Sequence, residues 1–136
     1  MFHNLNPYPD VTETITKIGK SEYKLSVLSN ANLNTLRASL NSAQILKCFD
    51  MVFSVETTGV CKPHSKSYQI ICDGLRLEPN NVLYVSANCW DISGAAIFGF
   101  HTVWINRSKL IFDKLPAKPE IEITNLPELL QHLEIT

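Results

Sequence analysis

Three short strings in this sequence carry side chains suited to holding a small anion. Ser29-Asn30-Ala31-Asn32 offers a hydroxyl beside amides, and Lys62-Pro63-His64 offers an ammonium. Ser86-Ala87-Asn88-Cys89-Trp90-Asp91 offers a hydroxyl, an amide and a carboxylate. Helices starting near Asn32 and near Asp91 add backbone N–H groups and positive dipole ends. Together these groups suit a carboxylate or phosphate. Taken singly, each has an ordinary reading. Ser29-Asn30 suits a turn or cap, Lys62 a solvated cation, Asp91 an N-cap and Trp90 packing. The case for chemistry rests on all of them following strands, in order.

The elements that must position these residues alternate along the chain. Val11, Ile15 and Ile18 mark one helical face that stops at Gly19. Residues 24–28 read as a short buried strand, and Asn32 caps a helix with Leu33, Leu36 and Leu40 as its stripe. Residues 49–55 form a second strand candidate. Lys62-Pro63-His64 opens a helix in which Tyr68, Ile71, Cys72 and Leu75 share a face, with Pro63 in the first turn. Residues 81–86 read as a third strand and 91–98 as a compact helix. Residues 102–106 read as a fourth strand, and 121–124 as a short edge strand. Asn125, Pro127 and Glu128 predict a capped final helix. Residues 108–119 carry two prolines and predict an irregular surface connection. Continuous apolar strands alternating with helices indicate an α/β fold with a mostly parallel sheet covered on both faces. In such sheets ligands bind beyond the carboxyl ends of the strands, where the three strings fall.

Composition narrows the function. The 136 residues suit about one domain. Twelve Lys and Arg against thirteen Asp and Glu leave a net charge of −1, so the basic excess of a nucleic-acid binder is missing. No run approaches 18 apolar residues, which argues against a membrane span. Cys48, Cys61, Cys72 and Cys89 form no CxxC pair, and His3, His64, His101 and His132 form no HExxH or mixed ligand pattern. Reduced thiols and a cytoplasmic setting are expected, with no metal and no cofactor.

The strings resemble the haloacid dehalogenase superfamily, and within it the L-2-haloacid dehalogenases. The similarity covers Leu28-Ser29-Asn30, Lys62-Pro63-His64 with Tyr68, the stretch Ser86 to Asp91, and Phe98 to Arg107. It runs from about Pro7 to Arg107, and more loosely beyond. The most specific string is Ser-x-Asn-x-Trp-Asp, which the metal-independent dehalogenase branch carries where the superfamily's phosphatases place paired acidic metal ligands. The resemblance implies a Rossmann-like, HAD-like three-layer core. It implies cleavage of the carbon–halogen bond of small (S)-2-haloacids through an aspartyl ester, a covalent route by an activated carboxylate. It further implies that Lys62, Ser86, Asn88 and Asp91 are catalytic. Lys62 keeps the nucleophile ionised, Ser86 and Asn88 orient it, and Asp91 pairs with Lys62 and positions water. Ser29, Asn30, Tyr68 and Trp90 bind substrate or halide. Ala31 and Ala87 depart from the glycine and serine common at those positions.

The larger departure is the nucleophile. The family places it on a first strand in an Asp-x-x-Gly-Thr motif, and no aspartate here precedes Gly-Thr. Residues 1–20 read as the return linker and helix from a missing cap, and residues 21–136 as a core incomplete at its first strand. The expectation is therefore a truncated hydrolase, inactive as a single chain. The strands flanking the gap present open edges, so the fragment is expected either to close the gap by bringing those two strands together or to pair with a complementing fragment or a second copy. The alternatives are a non-catalytic remnant and a phosphatase-like hydrolase of the same superfamily.

Overall fold

The computed structural model describes residues 7–136, so His3 and the first six residues of the expected 1–20 linker and helix lie outside the described residues. Two compact units divide the chain: one runs to Thr57 and resumes at Leu126–Thr136, and the other is Thr58–Asn125.

The first unit begins with α1 (Val11–Gly19), which buries Thr14 and Ile18. Asp10 precedes the helix, but its carboxylate accepts the Leu126 N–H at 2.8 Å, tying the returning C-terminal segment to the start of α1. β1 (Ser26–Ser29) and β2 (Met51–Ser54) pair in parallel, with Ser29 opposite Ser54. Between them lies α2 (Leu33–Ser42), whose cap Asn32 accepts the Thr35 N–H at 2.8 Å as its sequence position predicts. Leu36 is buried on α2, whereas Leu33 of the predicted stripe is exposed. The first residue of a helix points along the entry direction of the chain, so the apolar stripe begins one turn later than the spacing alone implies. The final helix is five residues long (Glu128–His132), with Pro127 rather than Asn125 in the cap position. Its last turn is fixed by the Tyr23 hydroxyl, which donates to the Leu133 carbonyl at 3.1 Å.

The second unit carries α3 (Ser65–Leu75), β3 (Leu83–Ser86), α4 (Cys89–Phe98), β4 (His101–Ile105) and β5 (Ile121–Ile123). The strand order is β3-β4-β5, and every pairing is parallel. The core includes Tyr68, Ile92, Ala95 and Val103, each with no exposed surface. Each large apolar side chain so buried contributes about 1.5–3 kcal/mol. α4 ends at Gly99, whose φ of 118° lies in the left-handed region that a glycine enters without a Cβ penalty. The irregular stretch after β4 is pinned by Asn106. Its buried amide accepts the Leu110 N–H at 2.9 Å and donates to the Leu110 carbonyl at 2.8 Å.

The structure thus shows two parallel ladders where the sequence suggests one sheet. Among the described residues β1 pairs only with β2, and β3 only with β4. The absence of an Asp-x-x-Gly-Thr strand from the sequence predicts that β1 and β3 each lack a neighbour on one side.

Candidate active site

The second unit brings three of the predicted site residues into one cluster. Asp91 is the third residue of α4, and its side chain is 2% exposed. Lys62 Nζ lies 2.8 Å from Asp91 Oδ2, with its own side chain 10% exposed. The Tyr68 hydroxyl donates to Asp91 Oδ1 at 2.8 Å. Burying an unpaired charge costs several kcal/mol, so ammonium and carboxylate at this depth require one another. The first turn of α4 turns the carboxylate inward because Ile92 and Ala95, on the same side of the helix, are fully buried.

A fourth member was not predicted from the sequence. Tyr84, on β3, accepts a hydrogen bond from Lys62 Nζ at 2.9 Å, and its hydroxyl lies 3.1 Å from each Asp91 carboxylate oxygen. Its signal was available: a lone phenol in an apolar strand, two residues before Ser86 and so on the same strand face. Lys62 also lies 5.6 Å from the centre of the Tyr84 ring, within cation–π range. Both tyrosines are held neutral well above the ordinary phenol range. Burial is the largest cause for each, followed by the negative charge of Asp91. They therefore act as neutral hydrogen-bonding groups.

Apolar packing fixes this cluster. Tyr68 and Tyr84 meet edge to face at 5.6 Å, and Tyr84 stacks on Phe100 at 5.7 Å. Lys62 enters from a short loop through a cis Lys62–Pro63 bond. His64, not a residue within the helix, caps α3, its Nδ1 accepting the Lys66 N–H at 3.1 Å. Pro63 therefore precedes the cap rather than standing in the first turn. Gly94 is required by close approach: a Cβ there would lie 2.6 Å from Pro63 Cβ and 2.7 Å from the Tyr68 hydroxyl. Glycine at this position lets α4 come near enough for Tyr68 to reach Asp91.

The remaining predicted residues stand at strand ends. Ser86 closes β3, and its hydroxyl accepts the Asn88 N–H at 3.2 Å, a turn typical of serine. Asn88 occupies the cap of α4 but makes no side-chain cap bond. Trp90 follows on the first turn of α4 with 41% exposure. Trp104 on β4 braces the same junction, its indole N–H donating to the Ala87 carbonyl at 3.0 Å. Ser29 and Asn30 belong to the other unit. There Ser29 Oγ accepts the Ala31 N–H at 3.0 Å, and Ser54 donates to the Ala31 carbonyl at 2.7 Å. At the start of α2, expected to offer N–H groups to an anion, two of those groups are already taken. Glu56 accepts the Leu33 N–H at 3.1 Å and Asn32 accepts that of Thr35. All four cysteines are free thiols. Among the described residues no three His, Cys, Asp or Glu side chains gather to hold a metal ion. No helix of the described residues is long and apolar enough to cross a membrane.

Comparison with known proteins agrees with this arrangement of elements. A family model for haloacid dehalogenase-like hydrolases matches residues 1–105, and the chain belongs to that family. An (S)-2-haloacid dehalogenase of Pseudomonas sp. (strain CBS-3) is 36% identical over 132 residues, which cover 97% of this chain and 58% of the relative. A dehalogenase solved with an intermediate complex superposes with a TM-score of 0.92 at 35% identity, covering 96% of this chain and 58% of that one. The L-2-haloacid dehalogenase of Xanthobacter autotrophicus with chloropropionic acid covalently bound gives a TM-score of 0.89 at 26% identity. It is matched over 98% of this chain and 63% of that one. The chain therefore spans somewhat under two-thirds of the length of these relatives.

Proposed function

We propose that this chain carries the charged part of a hydrolytic site that cleaves the carbon–halogen bond of small (S)-2-haloacids through an aspartyl ester. The observation that carries this reading is the Lys62–Asp91–Tyr68 cluster beside the end of β3, in a chain alignable along nearly its whole length with an (S)-2-haloacid dehalogenase. In the first step a carboxylate attacks the carbon bearing the halogen, and the halide leaves with the bonding electron pair. In the second, water adds at the ester carbonyl carbon, the carboxylate is released, and a 2-hydroxyacid and a proton are formed. Lys62 supplies the positive charge that keeps the nucleophile ionised, and Asp91 holds that charge in place. Ser86 and Asn88 orient the nucleophile. Trp90, exposed at the start of α4, contacts the substrate or the halide, whereas Tyr68, fully buried with its hydroxyl on Asp91, holds that carboxylate and not the substrate.

The nucleophile itself is not supplied by these residues. Asp10 is bonded to Leu126 N–H, Asp50 to Leu25 N–H before β2, Asp73 lies within α3, and Asp113 lies in the irregular stretch between β4 and β5, away from any strand end. Asp91 is committed to Lys62. The nucleophilic aspartate therefore comes from a segment outside these 136 residues, on the same or another chain, whose strand fills the position beside β3.

Chloride release from L-2-chloropropionate tests both parts. The purified chain alone is expected to release no chloride above a Lys62→Ala control. Mixed with the part of the Pseudomonas sp. (strain CBS-3) relative that lies outside the 58% matched by this chain, it is expected to release chloride in a Lys62-dependent way. Turnover by the chain alone overturns the need for an outside nucleophile. A well-formed complex with no Lys62-dependent release overturns the dehalogenase reading.

A further inference from the structure

We infer that Tyr84 is a positioning residue for the Lys62 ammonium, a role that rests on the functional reading above and extends it to a residue that reading does not use. The hydroxyl of Tyr84 stands between the two charged groups, accepting from Lys62 Nζ at 2.9 Å while lying 3.1 Å from both oxygens of Asp91. It is the only one of the two phenols in the cluster that bonds to both, since Tyr68 reaches Asp91 through its carboxylate and backbone carbonyl. A phenol in that place has one proton to give and lone pairs to accept with. It can therefore satisfy a cation and an anion at once, which neither phenylalanine nor leucine does.

The placement is rigid. Tyr84 is 8% exposed, sits in a parallel ladder opposite Thr102, and stacks on Phe100 with an interplanar angle of 21°. Its hydroxyl thus arrives from the sheet, whereas Asp91 arrives from α4 and Lys62 from the loop before α3. Three elements converge on one ammonium, so its position is fixed by a strand as well as by its ion-pair partner. A single ion pair lets a lysine head swing about the carboxylate; a second acceptor from another element removes that freedom. The charged groups facing this hydroxyl are Lys62 and Asp91, and the neutral one is Tyr68.

The test reads Lys62 directly and needs no turnover, so it stands or falls separately from the dehalogenase assay. The full chain is treated with acetic anhydride, and acetylation at each lysine is followed by mass spectrometry. Tyr84→Phe keeps the stacked ring and removes the hydroxyl. Lys62 in this variant is expected to acetylate roughly tenfold faster than in the parent chain, the factor corresponding to one lost hydrogen bond to a charged group. The other lysines are expected to keep their rates. Tyr68→Phe, which removes a bond to Asp91 but none to Lys62, is expected to raise the Lys62 rate by a clearly smaller factor. An unchanged Lys62 rate in Tyr84→Phe, or an equal rise in both variants, overturns the proposal. If Tyr84→Phe does not fold, the parent chain decides by proton NMR. A slowly exchanging Tyr84 hydroxyl proton with a cross-peak to the Lys62 ε-methylene supports the role, and its absence beside an observed Tyr68 hydroxyl proton overturns it.

Discussion

At the end of β1 and at the end of β3 a serine hydroxyl accepts the backbone N–H two residues on, Ser29 from Ala31 and Ser86 from Asn88. Each turn leads into a ten-residue helix with an asparagine in its cap position. From there the two junctions diverge. The first closes on itself. Asn32 caps α2, Glu56 takes the Leu33 N–H, and Ser54 holds the Ala31 carbonyl. The second leaves its cap side chain unused and places Asp91 in the first turn, aimed at Lys62, Tyr68 and Tyr84. Polar groups at one junction stabilise a helix, and at the other they hold a buried charge. A strand-end serine and a following asparagine are thus a shared scaffold, and the acid three residues into the helix marks the junction with chemistry.

Four substitutions probe this contrast. Asp91→Ala strips the partner from a buried ammonium and is expected to cost about 3–5 kcal/mol of stability, read by urea denaturation. A loss below about 1 kcal/mol would show that the second junction, like the first, is held by its helix alone. Gly94→Ala drives a methyl into Pro63 and the Tyr68 hydroxyl and is expected to cost about 1–3 kcal/mol, overriding the helix preference for alanine. The same denaturation series checks it, with the Tyr68 ring signals in NMR reporting displacement from Asp91. The smallest effect separates the two asparagines. Asn32→Ala is expected to cost about 1 kcal/mol, the usual loss for a cap. Asn88→Ala is expected to stay within about 0.5 kcal/mol, as for an exposed position that makes no cap bond. Equal losses would erase the contrast.

Much of this was legible in the sequence because it depends on local patterns. The Asn32 cap, the stop at Gly19, the buried face of Tyr68, Ile71 and Cys72, and the irregular stretch before β5 all follow from spacing or residue type. The pairing of Lys62 with Asp91 was legible only through family resemblance, since 29 residues separate them. What stayed hidden depends on tertiary contacts. Tyr84 reads as another apolar strand residue until α4 and the loop before α3 are packed beside it. His64 displaced Pro63 from the first turn because its ring nitrogen serves the Lys66 N–H. Glu56 reaches the start of α2 only once β2 lies beside β1.

The bond from the Trp104 indole to the Ala87 carbonyl gives the second junction an optical gauge of its own. Of the two tryptophans, Trp104 is 3% exposed and Trp90 is 41% exposed, so iodide quenches one and spares the other. Trp104 emission then reports the turn between Ser86 and Asn88 from inside, while Trp90 reports the solvent face of the same helix start. Two natural fluorophores at one strand–helix junction, one buried and one exposed, make the filling of this site visible without a label.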